Sequence, residues 1–177
     1  LCARMREQYP ALPEIVDPTG VARHIEDDLL TLFCDAVIAQ NIAGNVGSTQ
    51  RAMALAAIAL DRPELTERYL DWLFEPTGGM IPTILVDLVS RDGPSFEAAP
   101  GYSRAPNSLV PVADLLRSYA AYDKQDIYRD YPKLKWVFLS TRAYRCLNEV
   151  TPMLGDSGKA QHYGDVTNPI DMLISGY

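Results

Sequence analysis

The stretch that decides the fold is Ser48-Thr49-Gln50-Arg51-Ala52-Met53-Ala54-Leu55-Ala56-Ala57-Ile58-Ala59-Leu60. It holds neither glycine nor proline, and its alanines and unbranched apolar residues are strong helix formers. Beyond Arg51 it is apolar on nearly all sides. A helix of that kind must be covered by others, so the segment reads as a buried inner helix.

Working outward, further helical periodicity appears on both sides. From His24 to Gln40 the apolar residues Ile25, Leu29, Phe33 and Val37 recur every fourth position, the stripe of an amphipathic helix. Glu26, Asp27 and Asp28 suit the positive end of its dipole. After the inner helix, Asp61-Arg62-Pro63-Glu64 reads as a turn into a helix with Leu65, Tyr69, Trp72 and Leu73 on one face. Pro76, Gly78 and Gly79 break it. Met80 to Ser90 forms a fourth candidate, with Ile81, Leu85, Leu88 and Val89 inward and Pro82 tolerable in the first turn. Leu109, Val112, Leu116 and Tyr119 mark a fifth helix; Leu134, Phe138, Thr141 and Tyr144 mark a sixth.

Helices joined by short turns pair as antiparallel hairpins. The expected class is therefore all-α, a run of helical hairpins with apolar inner and mixed outer members. No period of 34 or 40-odd residues supports a regular solenoid. Pro10, Pro13 and Pro18 make residues 1–22 an irregular lead-in, and residues 159–177 read as the start of a linker. Neither end resembles a natural terminus, and both are expected to be cuts in a longer protein.

The chain has 177 residues, 47% hydrophobic and 22% charged, enough for one core and one domain, 1–177. Its net charge of -7, with no basic stripe, argues against nucleic acid as a partner. No apolar run approaches the ~20 residues that span a bilayer. Cys2, Cys34 and Cys146 lack metal-ligand spacing and, being odd in number, cannot close a disulfide framework. Buried free thiols are the expected state.

Three polar clusters interrupt the helices. Asn41-Ile42-Ala43-Gly44-Asn45-Val46-Gly47-Ser48-Thr49-Gln50 leads into the inner helix, at a terminus whose N–H groups favour anions. Capping by Asn45 or Ser48 is the simpler account. The loop from Arg91 to Asn107 contains Asp92-Gly93, Phe96-Glu97 and Pro100-Gly101-Tyr102-Ser103-Arg104, and loops this long between helices are uncommon unless functional or disordered. The two aromatics argue against disorder. The third cluster, Gly155-Asp156-Ser157-Gly158, is followed by His162 and Tyr163 and by itself reads as a turn.

In their order and spacing the three clusters resemble the heparinase II/III-like and alginate-lyase-like polysaccharide lyases, over about Asn41 to Gly158. Members carry an Asn-containing segment ending in Gln before an alanine-rich helix, like Asn45 to Gln50. An Asp-Gly, an aromatic, a Glu and Pro-Gly-Tyr follow, like Asp92 to Tyr102. A Gly-Asp-Ser element comes last, like Gly155 to Ser157. Relatives often place a histidine beside the Asn and another after the Tyr, where this chain has Val46 and Ser103.

The resemblance implies an incomplete (α/α) toroid, with β-sandwich domains outside this chain, and a secreted or periplasmic protein. It implies cleavage of an acidic, uronate-containing polysaccharide by β-elimination without a cofactor. Tyr102 would be the catalytic acid, with the role of base also open to it, Asn45 would bind the uronate carboxylate with Gln50, and His162 would be a second proton-transfer group. Glu97, Arg104, Asn41 and Tyr163 would contact substrate or tune its neighbours, Arg104 as the cation near Tyr102. Trp72 could stack on a sugar, but its face reads as packing. Two rival readings remain: a toroidal glycoside hydrolase using Glu97 with Asp92 or Asp156, and a non-catalytic glycan-binding or interaction scaffold.

Overall fold

A computed structural model describes residues 18–42, 44–94, 109–143, 146, 150–151 and 161–162 of the chain. They are predominantly helical, in agreement with the all-α expectation. Helix α1 (Pro18–His24) runs without a break into a π-helical segment (Ile25–Thr31) and then α2 (Leu32–Ile38). Helices α3 (Ser48–Leu60), α4 (Pro63–Trp72), α5 (Ile81–Val86), α6 (Val110–Ser118), α7 (Ile127–Asp130) and α8 (Leu134–Ala143) follow. A minimal antiparallel pair, β1 (Val150–Thr151) with β2 (Gln161–His162), comes last.

Helix α3 is the centre, packing against the π segment, α2, α4 and α6. Met53, Ala54 and Ala57 are wholly buried, and Ala56 and Leu60 nearly so. The alanines let neighbours approach closely, while Met53 fills the irregular space between them. One side of α3 differs from expectation. Ser48, Arg51, Leu55 and Ala59 lie on one face and are exposed, Leu55 by 45%. The inner helix is thus covered on all but one stripe.

The α3–α4 hairpin turns within two residues. Asp61 adopts the left-handed conformation that ends α3, and Pro63 opens α4, where a missing N–H costs nothing. The buried Thr66 hydroxyl donates to the Ala57 carbonyl at 2.8 Å, tying the two helices together. Tyr69 and Leu73 are wholly buried on the face predicted for them, Leu70, which the sequence reading did not name, is buried with them, and Leu65 and Trp72 pack at its edge.

Two boundaries and one additional helix differ from the sequence reading. The first helix begins at Pro18, inside the expected lead-in, because proline is acceptable in a first helical turn. The Met80–Ser90 helix stops at Val86, although Ile81, Leu85 and Val89 are buried as expected and Leu88 packs against the core. The short α7 was not foreseen; Asp126 caps it by accepting from the Tyr128 and Arg129 N–H groups at 3.0 and 3.2 Å.

The four-residue stripe of the first helix is covered only in its second half. Val37 is buried and Phe33 packs on the core, whereas Ile25 is 45% and Leu29 62% exposed. The π turn lies under this uncovered half. It is held from inside by the Thr31 hydroxyl, which donates to the Glu26 carbonyl at 2.8 Å, and from outside by Arg62, which pairs with Glu26 at 2.9 Å and Asp27 at 2.7 Å.

Around this core, tyrosine hydroxyls donate to aspartates on other elements: Tyr69 to Asp35 (3.0 Å), Tyr119 to Asp61 (2.6 Å), Tyr122 to Asp71 (3.0 Å) and Tyr128 to Asp114 (2.8 Å). The rings of Tyr69, Tyr122 and Tyr128 are buried and that of Tyr119 partly so, while each polar tip meets a carboxylate, the usual compromise for tyrosine. Cys34 is buried as expected; burial, with Asp35 adding to it, pushes its thiol up to about 11. Cys146 is exposed, contrary to the buried reading, because it lies in an isolated bridge to Val150 outside the helical core. Cys2 lies outside the described residues. No helix among the described residues is long and apolar enough to cross a membrane.

Candidate functional site

Of the residues singled out from sequence, Asn41, Asn45 and Gln50 belong to one described unit, the approach to α3. Gln40 takes positive φ (59°) as α2 ends, and Val46 and Gly47 turn the chain into α3. Gly47 sits at the helix cap with φ of 87°, a conformation a side chain would strain. Gly44 lies against the Thr49 hydroxyl, 2.5 Å from where a Cβ would be, so a larger residue would push that hydroxyl aside.

Neither Asn45 nor Ser48 caps α3 with its side chain, unlike the simple sequence account. Glycine at the cap has no oxygen to offer, and Gln50 supplies it instead. Its Oε1 accepts from the Gly47 N–H at 2.8 Å, which is half of a capping box. Its Nε2 donates to the Gly79 carbonyl at 2.7 Å. Both polar ends of Gln50 are therefore engaged within the chain, and they clasp the Asn45 loop to the turn before α5.

That turn is itself tightly folded. Gly79 has no room for a Cβ against the Leu73 backbone, and Gly78 packs on Trp72. Trp72 is half-buried there, consistent with its packing role. Met80 holds positive φ (58°) and is partly exposed beside the clasp.

The consequence is an end of the bundle where Asn41 and Asn45 are exposed on a rigidly anchored loop. Arg51, one turn into α3, is exposed on the same uncovered face as Ser48, and no salt bridge among the described residues occupies it. Sequence reading passed over Arg51. The available signal was its position directly after Gln50, the only cation in the segment that enters α3. A guanidinium there adds fixed positive charge to the partial charge of the helix terminus. Asn45 and Arg51, both exposed near the amino end of α3, carry an amide and a guanidinium, donor types that suit a carboxylate.

His162 is placed in β2, paired with Val150, and nothing described brings it near Asn45. Tyr102, Glu97, Arg104 and Tyr163 lie outside the described residues, as do the rivals' Asp156 and the Gly155–Gly158 element. The described part of the second cluster is its beginning. Asp92 is exposed, and Gly93, with φ of 102°, is pressed against α8: a Cβ there would lie 1.9 Å from the Trp136 carbonyl oxygen. The Ser90 N–H donates to the Pro94 carbonyl at 2.7 Å and closes this turn. The Asp-Gly pair thus has a structural reason. Only glycine permits this turn to seat on the helix.

Among the described residues no group of three or more His, Cys, Asp or Glu side chains is arranged to hold a metal ion.

Comparison with family models, curated proteins and solved structures yields no match to this chain. The function must therefore be argued from its own residues.

Proposed function

We propose that this chain is part of the helical, toroid-like domain of a polysaccharide lyase that cleaves a uronate-containing glycan by β-elimination. The observation that carries the reading is that Asn45, on a loop that Gln50 fixes in place, and Arg51, in the first turns of the alanine-rich helix α3, are both exposed at the amino end of that helix. Motif order supports it: this site precedes Asp92-Gly93, Phe96-Glu97 and Pro100-Gly101-Tyr102 as in the lyases that the sequence resembles.

β-Elimination needs the uronate C6 carboxylate neutralised so that the C5 proton becomes acidic, a base to remove that proton, and an acid to protonate the departing glycosidic oxygen. Asn45 donates to the carboxylate through its amide, and Arg51 supplies the positive charge that an acidic chain otherwise lacks. Gln50 holds the loop rather than the sugar. Tyr102 is the proton donor to the leaving group, with Arg104 as the cation that eases removal of its proton. Asn41 and Glu97 bind sugar hydroxyls, Tyr163 stacks on a sugar ring, and His162, the second proton-transfer group, takes the C5 proton. The uncovered stripe of α3, through Leu55 and Ala59, fits an inner helix lining a toroid's central cavity.

The test follows the absorbance of the new C4–C5 double bond when the full-length protein meets alginate, heparan and chondroitin sulfates, hyaluronan and ulvan. Absorbance is expected on one of them and is expected to fall by at least about 100-fold in Tyr102→Phe, the scale of a lost general acid. New reducing ends without absorbance would mean hydrolysis, and binding with neither would mean a scaffold.

A further inference from the structure

The first helix changes its hydrogen-bond spacing in the middle. Between α1 and α2, both α-helical, the seven residues Ile25–Thr31 are π-helical. Most π stretches are single turns set into an α-helix, and they frequently mark functional places. The local sequence does not account for this one. It holds neither proline nor glycine, the common causes of a break in an α ladder. The apolar residues Ile25, Leu29, Phe33 and Val37 recur every fourth position. That spacing lies between the α turn of about 3.6 residues and the wider π turn with its i→i+5 bonds, so the stripe fits either register. The Thr31 hydroxyl donates to the Glu26 carbonyl, but a threonine hydroxyl also reaches a carbonyl four residues back in an ordinary α-helix.

What separates the two registers is a contact from outside the helix. Arg62, in the turn between α3 and α4, uses one guanidinium nitrogen on Glu26 at 2.9 Å and another on Asp27 at 2.7 Å. Two nearby acids are engaged elsewhere, Asp28 with His24 and Asp61 with the Tyr119 hydroxyl. Glu26 and Asp27 are adjacent in sequence, and one rigid guanidinium fork reaches both only while they straddle it. Re-forming i→i+4 bonds across Ile25–Thr31 would wind the segment more tightly and turn both carboxylates about the helix axis, away from that position. The grip is also releasable. The Arg62, Glu26 and Asp27 side chains are 38%, 43% and 45% exposed, and exposed ion pairs are individually weak and screened by salt.

We propose that Ile25–Thr31 is a two-register switch, π-helical while Arg62 grips Glu26 and Asp27 and α-helical when ionic strength releases that grip. Everything before the segment turns with it, so release rotates α1 relative to α2 and the core that α2 packs on. The switch is independent of the lyase reading, because none of its residues belongs to the Asn45–Arg51 site.

The experiment reads the backbone bonds directly, through scalar couplings across hydrogen bonds in NMR spectra of the full, deuterated chain. At low salt the amides of the segment are expected to couple to carbonyls five residues back. In about 1 M sodium chloride, where the Debye length falls to about 3 Å, those couplings should be lost and replaced by couplings to carbonyls four residues back. Arg62→Met should show the four-residue pattern at every salt concentration. A Glu26→Gln, Asp27→Asn double variant should do the same with Arg62 intact. Unchanged amide shifts in α3 and α4 certify that each variant is folded, and the salt titration of the wild type decides the matter if one is not.

Five-residue couplings that persist in high salt and in the double variant overturn the switch, since the π register would then be a property of the local sequence. Four-residue couplings in the wild type at low salt overturn it as well. Loss of both patterns on release means that the segment frays instead of changing register, which also overturns it.

Discussion

Gln50 and Gly79 are joined across 29 residues of chain by a 2.7 Å hydrogen bond from the glutamine amide to the glycine carbonyl. Because the same side chain also accepts from Gly47, one residue fixes both the entry to α3 and the turn before α5. The exposed Asn45 owes its position to this clasp.

Removing the clasp should therefore cost both stability and activity. Gln50→Ala loses a cap and a cross-link and is expected to destabilise by about 1–2 kcal/mol in urea unfolding. Gln50→Glu keeps an oxygen for the Gly47 N–H but sets a carboxylate against the Gly79 carbonyl. It should restore the cap and leave the turn loosened. If glycan affinity falls in both variants while Asn45 is untouched, Gln50 acts by positioning.

Arg51 should behave in the opposite way. It is exposed and unpaired by salt bridges among the described residues, so Arg51→Ala should leave the melting temperature unchanged. It should raise KM for an acidic glycan more than it lowers kcat, and the defect should shrink at high ionic strength where the wild-type attraction is also screened. Unchanged KM at low salt would remove Arg51 from the site.

Gly93→Ala meets two penalties together. Its φ of 102° disfavours any side chain, and the new methyl would strike the Trp136 carbonyl at 1.9 Å. The turn has to move away from α8. A loss of about 3 kcal/mol is expected, close to 10 °C in melting temperature for a chain of this size. A neutral effect would mean that the turn is not seated as described.

The core makes a further prediction. Met53 is wholly buried in α3 at the centre of the packing, and Met53→Ala should cost about 3 kcal/mol through lost burial and the cavity left behind. By contrast Leu55→Ala, on the uncovered face of the same helix, should cost well under half of that. Differential scanning calorimetry of the two variants reads the contrast directly.

Rising alkaline pH should destabilise the protein through the groups it buries protonated. Burial first, then the hydrogen bond to Asp35, pushes the Tyr69 hydroxyl up to about 12 from 10.0, and burial pushes the Cys34 thiol to about 11 from 9.0. Tyr119 and Tyr122 move in the same direction, the first chiefly through its bond to Asp61 and the second through burial. Each group holds its proton more tightly when folded. Their contribution is complete below the ordinary values and is lost as pH rises through the window from about 9 to about 12. Urea midpoints should fall across that window, and Tyr69→Phe should flatten the fall.

Sequence determined the helical class, the central place of α3 and most of the buried faces. Periodicity and composition are local properties, and helices form where apolar residues recur at helical spacing. Sequence also singled out Asn45 and Gln50 as belonging to one unit, though it could not divide their labour. That Gln50 is spent on Gly47 and Gly79 depends on a turn 29 residues away. That α3 keeps one bare stripe with Arg51 on it depends on where its neighbours stop. The Tyr–Asp links and the seat of Gly93 on Trp136 are likewise contacts between distant segments. Spacing along one helix carries no record of such contacts, because they arise only when the hydrophobic faces close on each other and bring unrelated stretches of chain within hydrogen-bonding reach.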